Sequence, residues 1–180
     1  IISGDALTDM DLSELAEKHK SCSAGLTIAL KHMNIPLEYG VVVTDESGKI
    51  TRFLEKPNWD EVFSDTVNTG IYVLEPEVLS YIPEGQVFDF SKDLFPLLQK
   101  NDYPLYGYVS EDYWCDVGNL QEYRKAQYDV LDGKVDVLIN AKESSPGIWI
   151  HPEAFIEAGA FINSPCYIGK NAQIFSGASV

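Results

Sequence analysis

A chain of 180 residues with 45% apolar side chains is long enough for one domain with a real core, or for a domain with an appendage. Its formal net charge of −15 sets up a field that repels phosphate backbones and anionic bilayers, which argues against nucleic acid and membrane surfaces as partners. No signal peptide or membrane-spanning run is visible, and the three widely spaced cysteines (Cys22, Cys115, Cys166) lack metal-ligand spacing, so a reducing, cytoplasmic setting is expected.

Residues 1–3 (Ile-Ile-Ser) read as a buried strand ending in a Gly4-Asp5 turn. Asp11-Leu12-Ser13-Glu14 spells a capping box, with Asp11 as N-cap and Glu14 reaching back. Leu12, Leu15, Ala16 and His19 then share one helical face, so His19 reads as a half-buried helix residue and not as a ligand. Residues 24–29 and 39–44 read as strands, and Glu46-Ser47-Gly48-Lys49 as a turn that returns the chain through a hairpin strand over 50–54. Pro57 cannot donate to a ladder, so the strand should stop and leave Glu55 and Lys56 at an edge.

Residues 67–74 form a further predicted strand with the polar trio Asn68-Thr69-Gly70 at its entrance. Pro76 starts a short helix through Tyr81, and Phe90-Ser91-Lys92-Asp93 opens a helix to Lys100. A strand over 105–109 leads to Tyr113-Trp114-Cys115-Asp116-Val117-Gly118, after which Asn119 caps a helix to Leu131. Strands alternating with helices imply a layered α/β sheet with sites at strand ends.

Past Gly133 the pattern changes. Ile150, Ile156, Ile162, Ile168, Ile174 and Val180 recur at every sixth residue, and two positions before them stand Ile148, Ala154, Ala160, Cys166, Ala172 and Ala178, mostly small. This period fits a hexapeptide parallel β-helix in which three hexapeptides make one coil. The expected division is therefore 1–133 and 134–180. The chain lacks an initiator methionine and stops at Val180 within a repeat, and so reads as a piece of a longer parent.

The chemistry concentrates at Asp5 and Asp116. Each carboxylate follows an apolar stretch and stands by a glycine, and two such acids at one sheet edge would hold a hard divalent cation over phosphates. Singly, each motif has a bland alternative: Glu55-Lys56-Pro57 is also a solvated strand end, and Asp116 also a helix-capping acid. Cys115 reads as a packing residue, and Tyr113 and Trp114 as core or wall.

In order, Gly4-Asp5, Glu55-Lys56-Pro57, Asn68-Thr69-Gly70 and Tyr113-Trp114-Cys115-Asp116-Val117-Gly118, followed by a long helix and hexapeptide repeats, resemble a sugar-phosphate nucleotidyltransferase. The branch most similar is that of bacterial mannose-1-phosphate guanylyltransferases. The resemblance implies the C-terminal part of a Rossmann-like α/β domain followed by a left-handed parallel β-helix. It implies transfer of a nucleotidyl group from an NTP, here GTP, to a sugar 1-phosphate, with Mg²⁺ held by Asp5 and Asp116. Asp5, Lys56 and Asp116 would be the catalytic set, Lys56 neutralising the sugar phosphate. Tyr39, Gly40, Glu55, Lys56, Asn68 and Thr69 would bind the sugar, Glu55 by accepting from its hydroxyls. Thymidylyl or adenylyl transfer to glucose 1-phosphate is the alternative within this class. Outside it stand a non-catalytic regulatory or assembly subunit and, more remotely, an acyltransferase using His151. A homo-oligomer is expected. The family's glycine-rich phosphate loop, with its arginine and lysine, is absent from these residues, so the 180-residue chain alone is expected to be inactive.

Overall fold

The computed structural model describes residues 1–55, 57, 58, 60 and 64–180. They fall into two compact units, residues 1–6 with 10–114 and residues 7–9 with 115–180.

In the first unit the chain opens differently from the expectation. Ile2 makes one isolated bridge to Ile71, and Ile1 and Ile2 are 55% and 52% exposed. Among the described residues, hydrogen bonds tie one side of this segment, through Tyr72 N to Ile1 O at 2.9 Å and Ser3 N to Gly70 O at 3.0 Å. A half-bonded segment does not form a buried strand, and the regular strand β1 (Ala6–Thr8) comes after the Gly4-Asp5 turn.

Helix α1 (Leu12–Ser21) starts where expected, because Asp11 sits in extended backbone and its Oδ1 accepts from Ser13 N at 2.7 Å. The reciprocal half of the capping box does not form. Glu14 Oε2 instead accepts from the Tyr108 hydroxyl at 2.7 Å, a charge-assisted partner that outcompetes the backbone. Leu15 and His19 are buried, while Leu12 is exposed. His19 is more deeply placed than its sequence suggests: Nδ1 lies 2.9 Å from Thr27 Oγ1 and Nε2 lies 3.2 Å from Glu75 Oε1.

Five strands, β2 (Leu26–His32), β3 (Gly40–Thr44), β4 (Ile50–Glu55), β5 (Thr66–Leu74) and β6 (Leu105–Val109), form one sheet in the order β4-β3-β5-β2-β6. Only β2 and β6 run parallel. The apolar run of β2 explains its interior place, since it is covered on both faces. Leu26, Ile28 and Leu30 pack with Val42, Phe95 and Leu98, while Ala29 packs with Met10, Leu15 and Ile71. Each fully buried side chain of this size contributes about 1.5–3 kcal/mol of transfer free energy. As Pro57 predicts, β4 ends at Glu55 and forms an edge of the sheet.

The helix expected from Phe90 is two pieces. Residues Phe90–Leu94 make a π-helical turn before α2 (Phe95–Lys100). Pro96 has no N–H to give to the regular ladder, and Phe95 N bonds back five residues to Phe90 O. Asp89 Oδ1 accepts from Lys92 N, and Asp93 Oδ2 from Asp89 N, both at 2.8 Å, so two acids brace the wide turn.

In the second unit, β7 (Trp114–Asp116) forms a two-stranded sheet with β1. Helix α3 (Leu120–Leu131) begins at Asn119, whose Oδ1 accepts from Gln121 N and Glu122 N at 2.9 Å. Trp149 Nε1 donates to Leu131 O at 3.1 Å, and Asp136 N to Asp9 Oδ2 at 2.8 Å, which ties α3 and residues 7–9 to the segment between Asp136 and Trp149.

Strand β8 (Lys142–Ser145) pairs antiparallel with β9 (Ile148–Ile150), and the pairings made by residues 155–179 are parallel. Cys166↔Ile148 joins β11 (Cys166–Ile168) to β9, Phe155↔Gln173 joins β10 (Phe155–Ile156) to β12 (Gln173–Ile174), and Phe161↔Ser179 is a bridge, each pair eighteen residues apart. Three hexapeptides thus separate each residue from its partner. Cys166 and Ile168 are buried and Ala154, Ile156, Ala160 and Ile162 half-buried, whereas Phe155, Phe161 and Tyr167 between them are exposed.

Candidate active site

The first unit gathers Gly40, Glu55 and Asn68, three of the residues expected to bind a sugar, at one end of the β4-β3-β5 ladder. Gly40, the first residue of β3, is in register with Glu55, the last of β4. A Cβ on Gly40 would stand 3.0 Å from Glu55 Oε2 and 3.7 Å from Asn68 Cβ, so glycine keeps backbone open beside the carboxylate. Glu55 is exposed, and its carboxylate makes no hydrogen bond among the described residues. Gly40, Glu55, Asn68 and Ser91 line one small cavity of about 10 Å³. That is room for about one water, so a larger ligand would lie against its mouth.

Asn68 is held on every side. Its Oδ1 accepts from Gly70 N at 3.0 Å, and its Nδ2 donates to Tyr72 Oη at 3.0 Å and to Ser91 Oγ at 3.3 Å. The Tyr72 ring packs on Phe90 and Phe95. Burial, then the charges of Asp89 and Glu55, push its hydroxyl pKa upward against the opposing hydrogen bond from Asn68.

Tyr39 is half-buried and sets its ring edge-on to Trp114, with centroids 5.6 Å apart. Thr69 does not face this cavity. Its Oγ1 donates to Ala29 O at 2.7 Å inside the sheet, and it is buried. Lys56 lies outside the described residues. Ser91 is a cavity residue that sequence reasoning missed, because Phe90-Ser91-Lys92-Asp93 reads as a plain helix start.

The two aspartates belong to different units, and each has its own surroundings. Asp5 is exposed in the first, where the Ser3 hydroxyl donates to its Oδ1. Asp116 ends β7 in the second and is half-buried. Asn119, not Asp116, caps α3, which removes the capping alternative for this acid. The adjacent Cys115 thiol is buried, 3.6 Å from Glu122 Oε2, in keeping with a packing role. Among the described residues no group of three or more His, Cys, Asp or Glu could hold a metal ion.

The model of the family described as Nucleotidyl transferase matches residues 1–133. The chain belongs to that family. Among curated nucleotidyl transferases, a UTP–glucose-1-phosphate uridylyltransferase of Synechocystis sp. is 38% identical over 100% of this chain and 47% of its own length. A mannose-1-phosphate guanylyltransferase of Mycobacterium tuberculosis is 30% identical over 98% of this chain and 49% of its own. A glucose-1-phosphate adenylyltransferase of Lachnospira eligens is 36% identical over 97% and 40%. The chain spans about half the length of the curated relatives it matches.

A crystal structure of a Bacillus anthracis protein described as a glucose-1-phosphate thymidylyltransferase, in complex with sucrose, superposes with a TM-score of 0.62 at 23% identity. It covers 77% of this chain and 55% of that one. HddC from Yersinia pseudotuberculosis gives 0.57 at 24% identity, covering 69% and 52%. These likenesses show a Rossmann-like α/β nucleotidyltransferase fold.

Proposed function

We propose that this chain serves nucleotidyl transfer from an NTP to a sugar 1-phosphate. A phosphate oxygen of the sugar 1-phosphate attacks the α-phosphorus, the α–β bond breaks, and pyrophosphate leaves with the electron pair. The reaction presses anions together, so positioning and charge neutralisation supply most of the catalysis. The observation that carries this reading is the Gly40–Glu55 register pair with Asn68 beside it, in a chain of the nucleotidyl transferase family.

Glu55 accepts from sugar hydroxyls, Gly40 lets the ring approach the backbone, and Tyr39 forms a wall. Lys56 neutralises the sugar phosphate as a flexible point charge. Asp5 and Asp116 are the carboxylates for Mg²⁺. The hard carboxylate oxygens of each would suit that ion, which proteins hold through one or two carboxylates. When bound, the ion would offset phosphate charge.

Guanosine with mannose is the pairing favoured by the Tyr-Trp-Cys-Asp-Val-Gly-Asn pattern. The 38% identical uridylyltransferase makes UTP with glucose 1-phosphate a second reading. The eighteen-residue parallel register supports a left-handed β-helix, which we assign to self-association in a cytoplasmic homo-oligomer.

The test is calorimetric titration of mannose 1-phosphate and glucose 1-phosphate into the chain with Mg²⁺, alongside pyrophosphate release with GTP, UTP, ATP and dTTP. Binding of a sugar 1-phosphate is expected, weakened by Glu55→Gln. In a separate titration of Mg²⁺ alone, Asp5→Asn and Asp116→Asn should each weaken binding of the ion. Absence of binding to either sugar phosphate overturns the reading.

A further inference from the structure

The hydrogen-bond directions around Asn68 carry more than its membership of the site. Each of its polar groups is engaged within the protein: Oδ1 by Gly70 N, and the amide nitrogen by Tyr72 Oη and Ser91 Oγ. A primary amide has two N–H donors. Both are spent, one on each hydroxyl.

This fixes what the neighbours offer. Ser91 Oγ and Tyr72 Oη act as acceptors toward Asn68, so their own O–H hydrogens are free to point elsewhere. The Ser91 hydroxyl makes no other hydrogen bond among the described residues. It lines the same small cavity as Gly40 and Glu55. It sits on the π-helical turn braced by Asp89 and Asp93, a geometry that recurs at functional sites.

We infer that Ser91, and not Asn68, is the neutral donor that reads a ring hydroxyl of the sugar, and that Asn68 is a positioning residue holding the Ser91 hydroxyl in its donating orientation. Glu55 beside Gly40 supplies a charged acceptor and Ser91 a neutral donor, so the pair reads a hydroxyl from both of its hydrogen-bonding sides. A ring carbon of inverted configuration moves its hydroxyl out of reach of one of them. The Ser91–Glu55 pair is thus a discriminator between epimeric sugar 1-phosphates. This rests on the sugar 1-phosphate reading of the site.

The experiment is titration of mannose 1-phosphate, glucose 1-phosphate and inorganic phosphate into the wild-type chain, Ser91→Ala, Ser91→Thr and Asn68→Ala. Unfolding midpoints are recorded for all four. For the preferred sugar phosphate, Ser91→Ala should weaken binding about tenfold, the loss of one hydrogen bond. Inorganic phosphate should bind Ser91→Ala as it binds wild type, and Ser91→Thr, which keeps the hydroxyl, should recover most of the affinity. Asn68→Ala should narrow the preference between the two epimers, an effect that lost stability alone would not produce. If wild type binds sugar phosphate and Ser91→Ala binds it equally, with the preference intact, this inference fails while the site reading stands. If wild type binds neither sugar phosphate, both fail together. Should Asn68→Ala not fold, the Ser91→Ala and Ser91→Thr pair still decides.

Discussion

Trp114 Nε1 donates to the Thr69 carbonyl oxygen at 3.0 Å, and the same indole meets the edge of Tyr39. One side chain therefore links a residue of the candidate sugar wall to the middle of the Asn68-Thr69-Gly70 motif. Trp114→Phe keeps an aromatic ring for Tyr39 but leaves the Thr69 carbonyl without its donor. The expected loss is about 1 kcal/mol of stability. Urea unfolding reads it directly, and an unchanged midpoint would show the bond to be worth nothing.

Gly70 has φ +76°, and a Cβ there would stand 2.9 Å from Ser3 Cβ. Gly70→Ala should cost about 1–2 kcal/mol for the left-handed backbone alone, with more from the contact. Gly85 has φ +71° with nothing near its missing Cβ, so Gly85→Ala isolates the backbone contribution. Thermal unfolding of the two variants should place Gly70→Ala lower. Equal midpoints would mean that Ser3 yields freely.

The hydrogen bond to Glu14 pushes the Tyr108 pKa up to about 12, aided by burial and by the Glu14 charge. The folded-state value lies above the ordinary one, near 10. The stability tied to this proton is therefore complete below about pH 10 and fades as pH climbs through about 12. In an alkaline titration of tyrosine absorbance, Tyr108→Phe should delete one late-titrating group and leave the earlier ones in place. A curve that loses an early group instead would contradict the assignment.

Gly40→Ala should separate binding from folding. The added methyl presses on the flexible end of an exposed side chain, Glu55 Oε2 at 3.0 Å, which turns away at little cost to the fold. Sugar 1-phosphate affinity should fall about tenfold as that carboxylate leaves its place, with the unfolding midpoint within about 1 °C of wild type. A large drop in midpoint with affinity intact would reverse the roles given to Gly40.

What the sequence made legible was periodic or chemically punctuated. Asp11, Pro57, Asn119 and the six-residue repeat each announce themselves through one physical constraint, and the corresponding caps, strand end and parallel pairings are present. What it hid depended on partners far away along the chain. Glu14 turned from its own helix to Tyr108, and Thr69 turned its hydroxyl to Ala29. Ser91 reached the cavity because Pro96 and two acids widened a turn. Periodicity reports which face a residue occupies; it carries no information about which of several acceptors a side chain will choose.

The eighteen-residue pairing from Ile148 to Cys166 makes the second unit a counting device. A surface loop between sheet strands absorbs an extra residue by bulging outward. Here one residue added between Ile150 and Cys166 would shift each later side chain by one position, turning Ile168 outward and Tyr167 inward. Two added residues would restore the in-and-out alternation yet still break the six-residue repeat. Only a gain or loss of six keeps faces and bends together. Length variation in this part of the chain should therefore be quantised, with whole hexads tolerated and single insertions penalised as heavily as a core substitution.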